Sequence, residues 1–236
     1  MNAFTQIQLQ KETLDIYLVR TSIFKVIQKR AAQMNGSLLD IGCGKMPYRD
    51  FIMSNSKLTS YVGLDIESAL QYDARVKPDF FWDGNRMPFE DNSFDCAMAT
   101  EVLEHCPNPS IVLAEAYRVL RPGGFLFCTV PFLWPLHEVP YDEFRYTPFA
   151  LKRILDETGF QESEIQALGG WHASMAQMLG LWVKRSPLPK RFKSWAPFFI
   201  MPIYKKLLKM DRPPSSFYEG TMVTGLSIMA HKPAAR

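Results

Sequence analysis

The segment Leu38-Leu39-Asp40-Ile41-Gly42-Cys43-Gly44 constrains the fold of this chain more than any other. An apolar run that stops at a glycine turn reads as a buried strand passing into a helix, with backbone bare enough for a ligand to approach. A second run, Val62-Gly63-Leu64, ends in Asp65. An acid about twenty residues beyond such a turn is placed to accept hydrogen bonds from ribose hydroxyls. Strand, turn, helix, strand and acid in this order predict an open α/β sheet and a nucleoside-bearing ligand.

Spacing inside the turn narrows the ligand. A dinucleotide turn reads G-x-G-x-x-G, because pyrophosphate must lie on the backbone at a helix N-terminus. Here the register gives Gly42, Gly44 and then Pro47, which disfavours a dehydrogenase. Asp40, just ahead of the turn, is a poor neighbour for pyrophosphate and suits an ammonium group. S-adenosylmethionine has an ammonium and a sulfonium and no phosphate. At this point the D-x-G-C-G run at 40–44 resembles the class I S-adenosylmethionine-dependent methyltransferases, in particular their small-molecule and glycan branch.

The resemblance continues in order over residues 36–170. Phe80-Phe81-Trp82-Asp83 is similar to the family's third strand, and the run 86–95, with Pro88-Phe89 and Ser93-Phe94-Asp95, to the lead into strand four. Thr100-Glu101-Val102-Leu103-Glu104-His105 resembles the segment facing the methyl group, and Arg121-Pro122-Gly123-Gly124 the turn into strand five. It implies a Rossmann-like three-layer sandwich around a mostly parallel seven-stranded sheet with an antiparallel last strand at its edge. It also implies S-adenosylmethionine as cofactor, held by Asp40, Gly42, Gly44, Asp65, Ile66, Asp83, Gly84, Thr100 and Glu101, with Asp83 at the adenine amino group.

The rest of the chain fits around that core. At 236 residues and 47% hydrophobic, it can bury one substantial core and a small appendage. Residues 12–34 carry Ile16, Val19, Ile23, Val26 and Ile27 at helical spacing, with Asn35-Gly36 as the stop; a core-packing helix is favoured over a lid. Asn108-Pro109 and Thr147-Pro148 read as cap-and-first-turn pairs, and Gly159 as a helix stop. Strands are expected near 37–41, 61–66, 79–82, 94–99, 124–130, 163–168 and 223–230. The expected division is an N-terminal helical segment at 1–36, a methyltransferase core at 37–170, an insertion at 171–220 and a last strand within 221–236.

Four cysteines without CxxC spacing (Cys43, Cys96, Cys106, Cys128) fit a reduced setting rather than disulfides. Residues 1–10 carry no basic region followed by an apolar core, so no signal peptide is expected. A cytoplasmic location, peripheral to the inner membrane face, is the expectation. The net charge of +3 conceals an asymmetry: residues 182–212 hold nine Lys/Arg and one acid, leaving 18 basic and 23 acidic residues elsewhere. Pro187, Pro189, Pro197 and Pro202 argue against one long helix there. Its uncharged run at 194–204 is too short for a bilayer span, which needs ~20 residues. Basic residues mixed with Trp195, Phe198 and Phe199 fit contact with an anionic membrane; a substrate cap or dimer contact is the competing reading. Nucleic acid ranks last, since no recognised module accompanies the charge.

Candidates for chemistry cluster after strand five. The segment 131–148 contains His137, Glu138, Asp142 and Arg145. It resembles the H-E-x-P-x-D-x-x-R-[YF]-T loop of methyltransferases from surface-polysaccharide and natural-product pathways. His137 is the first candidate base, with Asp142 or Glu138 to orient it; Asp142 and Arg145 as a plain loop-fixing ion pair is the competing reading. His105 is the second. Glu101, Glu104 and His105 fall at i, i+3 and i+4, one face of a helix, with Glu101 on the end of strand four as the competing reading. With His137 they form a possible divalent-cation set, resembling an E-x-x-E-H pattern of certain metal-dependent O-methyltransferases; metal is the less favoured alternative. The expected reaction is methyl transfer to an oxygen of a sugar, glycolipid or secondary metabolite. The rival from another class is a non-catalytic binding module of the same fold.

Overall fold

The computed structural model describes residues 3–66 and 76–235. The apolar runs form strands β1 (Asn35–Ile41), β2 (Lys57–Ile66), β3 (Phe80–Trp82), β4 (Phe94–Thr100), β5 (Leu120–Pro131), β6 (Gln161–Ala167) and β7 (Gly225–His231). They make one sheet in the order β3-β2-β1-β4-β5-β7-β6. β7 runs antiparallel to both its neighbours, and the pairs from β3 through β5 are parallel. The order reverses direction between β1 and β4, which opens a crevice at their C-terminal ends.

Consecutive strand residues serve opposite faces, as a period of two requires. Leu38, Cys96, Met98, Phe125 and Phe127 pack on Ile23 and Ile27 of α1 (Tyr17–Ala31) and Ile52 of α2 (Arg49–Asn55). Leu39, Ala97, Ala99 and Leu126 pack on Val112, Leu113 and Ala116 of α3 (Pro109–Val119) and Leu151 and Leu155 of α4 (Pro148–Thr158). α1 is therefore a core-packing helix. It starts at Tyr17 rather than at 12, because Thr13 closes a turn instead, its hydroxyl donating to the Gln8 carbonyl and accepting from the Gln10 N–H. Asn35 and Gly36 already belong to β1.

Thr147 caps α4 by accepting from the Ala150 N–H at 3.2 Å, and Gly159 ends it at φ +102°. Asn108 precedes Pro109 at the start of α3 without making a side-chain cap. The expectation that the last strand lies at the sheet edge is corrected: β7 is inserted between β5 and β6. Composition explains the exchange. β7 is buried along nearly all its length and needs cover on both sides, whereas β6 begins with the exposed Gln161 and Glu162 and tolerates an edge.

The insertion folds as α5 (Trp171–Arg185) and α6 (Lys190–Met210). Pro187 and Pro189 fall in the break between them, but Pro197 and Pro202 lie inside α6, so only two of the four prolines end a helix. An interior proline costs about 3 kcal/mol. Burial of Ile200 and Tyr204 against Ala176 and Val183 of α5 offsets it at roughly 1.5–3 kcal/mol per large side chain. Leu14 joins the same cluster, and Gly180 lets the N-terminal segment come close: a Cβ there would meet the Leu14 carbonyl oxygen at 2.3 Å. Asp211 closes the helix pair by accepting from the Gly170 and Ala173 N–H groups at the start of α5.

Candidate active site

The C-terminal ends of β1, β2 and β4 open into a cleft of about 320 Å³, walled by Gly42, Gly44, Asp65, Ile66, Trp82 and Glu101 among others. Its position follows from the topology, since ligands of open α/β sheets bind where the strand order reverses. Gly42 holds φ +65°, and a Cβ on it would meet the Val102 side chain at 2.6 Å, so only glycine makes this turn. Asp65 is fixed on both oxygens: it accepts from the Gly44 N–H at 3.0 Å and from the Ile66 N–H at 2.9 Å. Burial pushes its pKa up, against the pull of these two bonds. Each oxygen keeps a lone pair for a hydroxyl donor. An adjoining pocket of about 510 Å³ shares Ile66, Trp82 and His105 and adds Asp83, Gly84 and Asn85. Asp83 is held by the Asn85 and Arg86 N–H groups, which lower its pKa.

A nucleoside with a cationic tail fits these walls, which pair bare glycine backbone and Trp82 with Asp65 and Glu101. Two expected contacts are placed elsewhere. Asp40 is buried, its carboxylate accepting from the Tyr61 hydroxyl, and it does not line either pocket. Desolvation raises its pKa to about 7, and the Tyr61 hydrogen bond fixes it beneath the turn. Thr100 ends β4 and lines neither pocket. Glu101 faces the cleft along with Asp65 and Glu138, and burial raises its pKa to about 7. Its backbone is left-handed at φ +55°, its N–H donating to the Thr129 carbonyl at 3.0 Å.

That backbone corrects the helical reading of Glu101, Glu104 and His105. Glu101 stands in a turn, and Leu103–His105 form one 3₁₀ turn. The residues 132–147 are irregular and are pinned to this turn. Glu143 and Phe144 donate their N–H groups to the Glu104 carbonyl, and the Tyr146 hydroxyl donates to the Leu103 carbonyl at 2.8 Å. His105 is thereby brought to the Tyr141 carbonyl, 3.0 Å from its Nδ1. A carbonyl only accepts, so Nδ1 carries a proton; Nε2 lies 3.9 Å from both Glu104 Oε1 and Glu138 Oε2.

His137 is fixed by the same logic. Its Nδ1 lies 3.2 Å from Asp142 Oδ2, and its backbone N–H donates to that oxygen at 3.1 Å. Arg145 grips Asp142 in a two-pronged pair at 2.6 and 2.8 Å and holds its carboxyl well below the usual range. Asp142 therefore stays ionised, Nδ1 keeps its proton, and Nε2 presents a lone pair. Desolvation outweighs the opposing pull of Asp142 and leaves the His137 pKa below the ordinary imidazole value. The ion pair and the orienting contact, set as alternatives by sequence, coexist.

The rings of His105 and His137 meet edge to face at 4.7 Å. Ligand atoms of Glu104, His105 and His137 lie within 4.8 Å of one another; Glu101 is not part of this group. Glu104 is fully buried, and neither of its carboxylate oxygens has a hydrogen-bond partner among the described residues. Desolvation drives its pKa far up. Sequence reasoning did not assign Trp82, Cys106, Pro107 or Tyr141 to the cleft. Cys106-Pro107 directly after His105 was the available signal, since any segment leaving β4 must pass the crevice. All four cysteines are free thiols.

Residues 39–128 match a family model described as a methyltransferase domain. The phthiotriol/phenolphthiotriol dimycocerosates methyltransferase 1 of Mycobacterium ulcerans is 38% identical over 99 residues, 39% of this chain and 36% of its own. A demethylmenaquinone methyltransferase of Staphylococcus saprophyticus is 25% identical over 64% of this chain and 81% of its own. The chain spans less than two-fifths of the length of the first curated relatives it matches. Among solved structures, phosphoethanolamine N-methyltransferase 2 of Haemonchus contortus, bound to phosphomonomethylethanolamine and S-adenosylhomocysteine, shares the fold. Its TM-score is 0.56 at 18% identity, covering 90% of this chain and 52% of that one. The ordered motifs, the cleft at the strand reversal and these matches agree: residues 39–128 carry a methyltransferase domain, and the chain has the fold of the methyltransferases solved with S-adenosylmethionine or S-adenosylhomocysteine.

Proposed function

We propose that the chain methylates a hydroxyl oxygen of a sugar, a glycolipid or a secondary metabolite, with His137 as the base. When bound in the cleft, S-adenosylmethionine supplies an electrophilic methyl group on a sulfonium. Gly42, Gly44 and Asp65 would hold it at the strand reversal, with Asp83 and Gly84 in the adjoining pocket. His137 Nε2 accepts the acceptor's hydroxyl proton, and Asp142 holds the opposite ring nitrogen so that the charge formed on the imidazole is stabilised. Arg145 keeps Asp142 in place. The observation carrying this reading is the Arg145–Asp142–His137 chain of contacts, which leaves one imidazole nitrogen poised as an acceptor. Relatives named for lipid, sterol and quinone methylation support an acceptor with a large apolar part.

The pH profile tests the base. The depressed His137 pKa means that the neutral, proton-accepting form persists to lower pH than for an ordinary histidine. With an acceptor found by screening lipid and glycan extracts, kcat/KM is expected to rise with pH and level off, its midpoint below about 6.5. A midpoint well above that value contradicts the assignment.

A second reading is metal-assisted transfer, favoured by the buried Glu104 carboxylate, which has no hydrogen-bond partner among the described residues and lies beside two imidazole rings. Glu104, His105 and His137 would be the ligands, and a hard cation there would polarise the acceptor oxygen. Thermal melting in Mg²⁺, Mn²⁺ or Zn²⁺ against a chelator separates the readings. A rise in Tm that Glu104→Gln abolishes supports the metal; an unchanged Tm leaves His137 as the base.

A further inference from the structure

Helices α5 and α6 turn large apolar side chains to solvent in a regular pattern. On α6, Trp195, Phe198, Phe199 and Ile203 are exposed, Phe198 at 79%; their spacing of three and four places them on one stripe. The opposite face of the same helix buries Ala196, Ile200 and Tyr204. On α5, Trp171, Met175, Met178 and Trp182 are also exposed and recur at four, three and four. Edge-to-face ring contacts join the two stripes: Trp182 to Phe192 at 5.3 Å, Phe192 to Trp195 at 4.7 Å and Trp195 to Phe199 at 5.5 Å. Apolar surface of this extent marks a contact site.

Charge selects the partner. α6 contains six Lys/Arg and no acid, and α5 ends in Lys184 and Arg185, again without an acid. Lys190, Arg191, Lys205, Lys206 and Lys209 form no ion pair with a described residue. Asp211, the one acid in the stretch 182–212, is already engaged with the N–H groups opening α5. On a helical wheel Arg191, Lys206 and Lys209 lie within the aromatic stripe and Lys205 flanks it. A second copy of the chain would bring the same unpaired cations face to face. No helix among the described residues is long and apolar enough to cross a membrane. We propose that the α5–α6 face lies on an anionic phospholipid surface, with the rings seated among the headgroups and acyl chain ends and the lysines among the phosphates.

The face is coupled to the acceptor loop. The Arg185 guanidinium at the end of α5 sits over the Trp134 ring at 4.9 Å, and the Trp134 carbonyl accepts from Arg145. Docking through α5 and α6 thus places the His137 loop next to the lipid surface. The docking itself rests on this surface and not on methyl transfer.

Flotation of the full chain with vesicles tests it. Binding is expected to phosphatidylcholine vesicles containing phosphatidylglycerol, falling with salt, and not to phosphatidylcholine alone. Lys205→Glu/Lys206→Glu/Lys209→Glu should weaken it on the order of a hundredfold, and Phe198→Ser/Phe199→Ser by at least about tenfold. The two phenylalanines lie outside the buried cluster between α5 and α6, so both variants should keep the cofactor affinity of the parent, read by calorimetry. Lost flotation with retained cofactor binding supports docking, and loss of cofactor binding in the parent bears only on the methyltransferase reading. Absence of flotation at low salt, or flotation unchanged in both variants, overturns the proposal. So does a lipid-free dimer that Phe198→Ser/Phe199→Ser dissolves, which assigns the face to self-association.

Discussion

His137→Ala is expected to lower kcat by about 10²–10⁴-fold, the usual worth of a positioned base, while leaving S-adenosylmethionine affinity at the parental level. The separation follows from placement. His137 stands beside His105 but does not line the cofactor cleft, so the proposed proton acceptor is separate from the cofactor walls. Asp142→Asn should show an intermediate loss, because the amide can no longer hold the Nδ1–H tautomer reliably. The acid limb of the pH profile should vanish in His137→Ala. Single-turnover kinetics at saturating cofactor, with calorimetry alongside, read both quantities. A parental rate in His137→Ala removes the base assignment; equal losses of rate and cofactor affinity would instead place His137 in the cofactor site.

Asp65→Ala is expected to act on the other quantity. Hydrogen bonds to a charged acceptor contribute about 1.5–3 kcal/mol each, so losing two at the ribose should raise the cofactor Kd on the order of 10²–10⁴-fold. The substitution also frees the Gly44 and Ile66 N–H groups that the carboxylate now orders. The unliganded protein should still fold. Burial raises the Asp65 pKa, so the folded state binds the proton more tightly than the unfolded one, and the ionised group at neutral pH costs stability rather than supplying it. Isothermal titration and a thermal melt of each variant check the pair. A melting temperature that collapses along with affinity would show Asp65 to be structural.

The glycine turn and Asp65 were legible because backbone conformation and hydrogen-bond capacity are local properties, and the structure returns both at the cleft. The strand positions were legible for the same reason: Leu38 and Leu39, or Cys96 and Ala97, need only the period of two to be sent to opposite faces. Order within the sheet is a non-local property, and there β7 had to be seen between β5 and β6. Asp40 shows a different limit. Its sequence position beside the turn suggested a ligand contact, but side-chain direction in a strand depends on register, and Tyr61 on the paired strand takes the carboxylate. Glu101, Glu104 and His105 illustrate a wrong period: helical spacing fits the letters, yet the left-handed Glu101 interrupts any helix. The meeting of His105, His137 and the buried Glu104 depends on a loop from β5 folding back onto the segment after β4, which no local pattern encodes.

The central claim is that the cleft at the end of β1 and β2 takes S-adenosylmethionine, and calorimetric titration of the cofactor into the chain tests it most directly. Saturable one-to-one binding is expected, displaced by S-adenosylhomocysteine, unaffected by NAD and lost in Asp65→Ala. Binding of NAD in place of S-adenosylmethionine, or no heat with either, would contradict it.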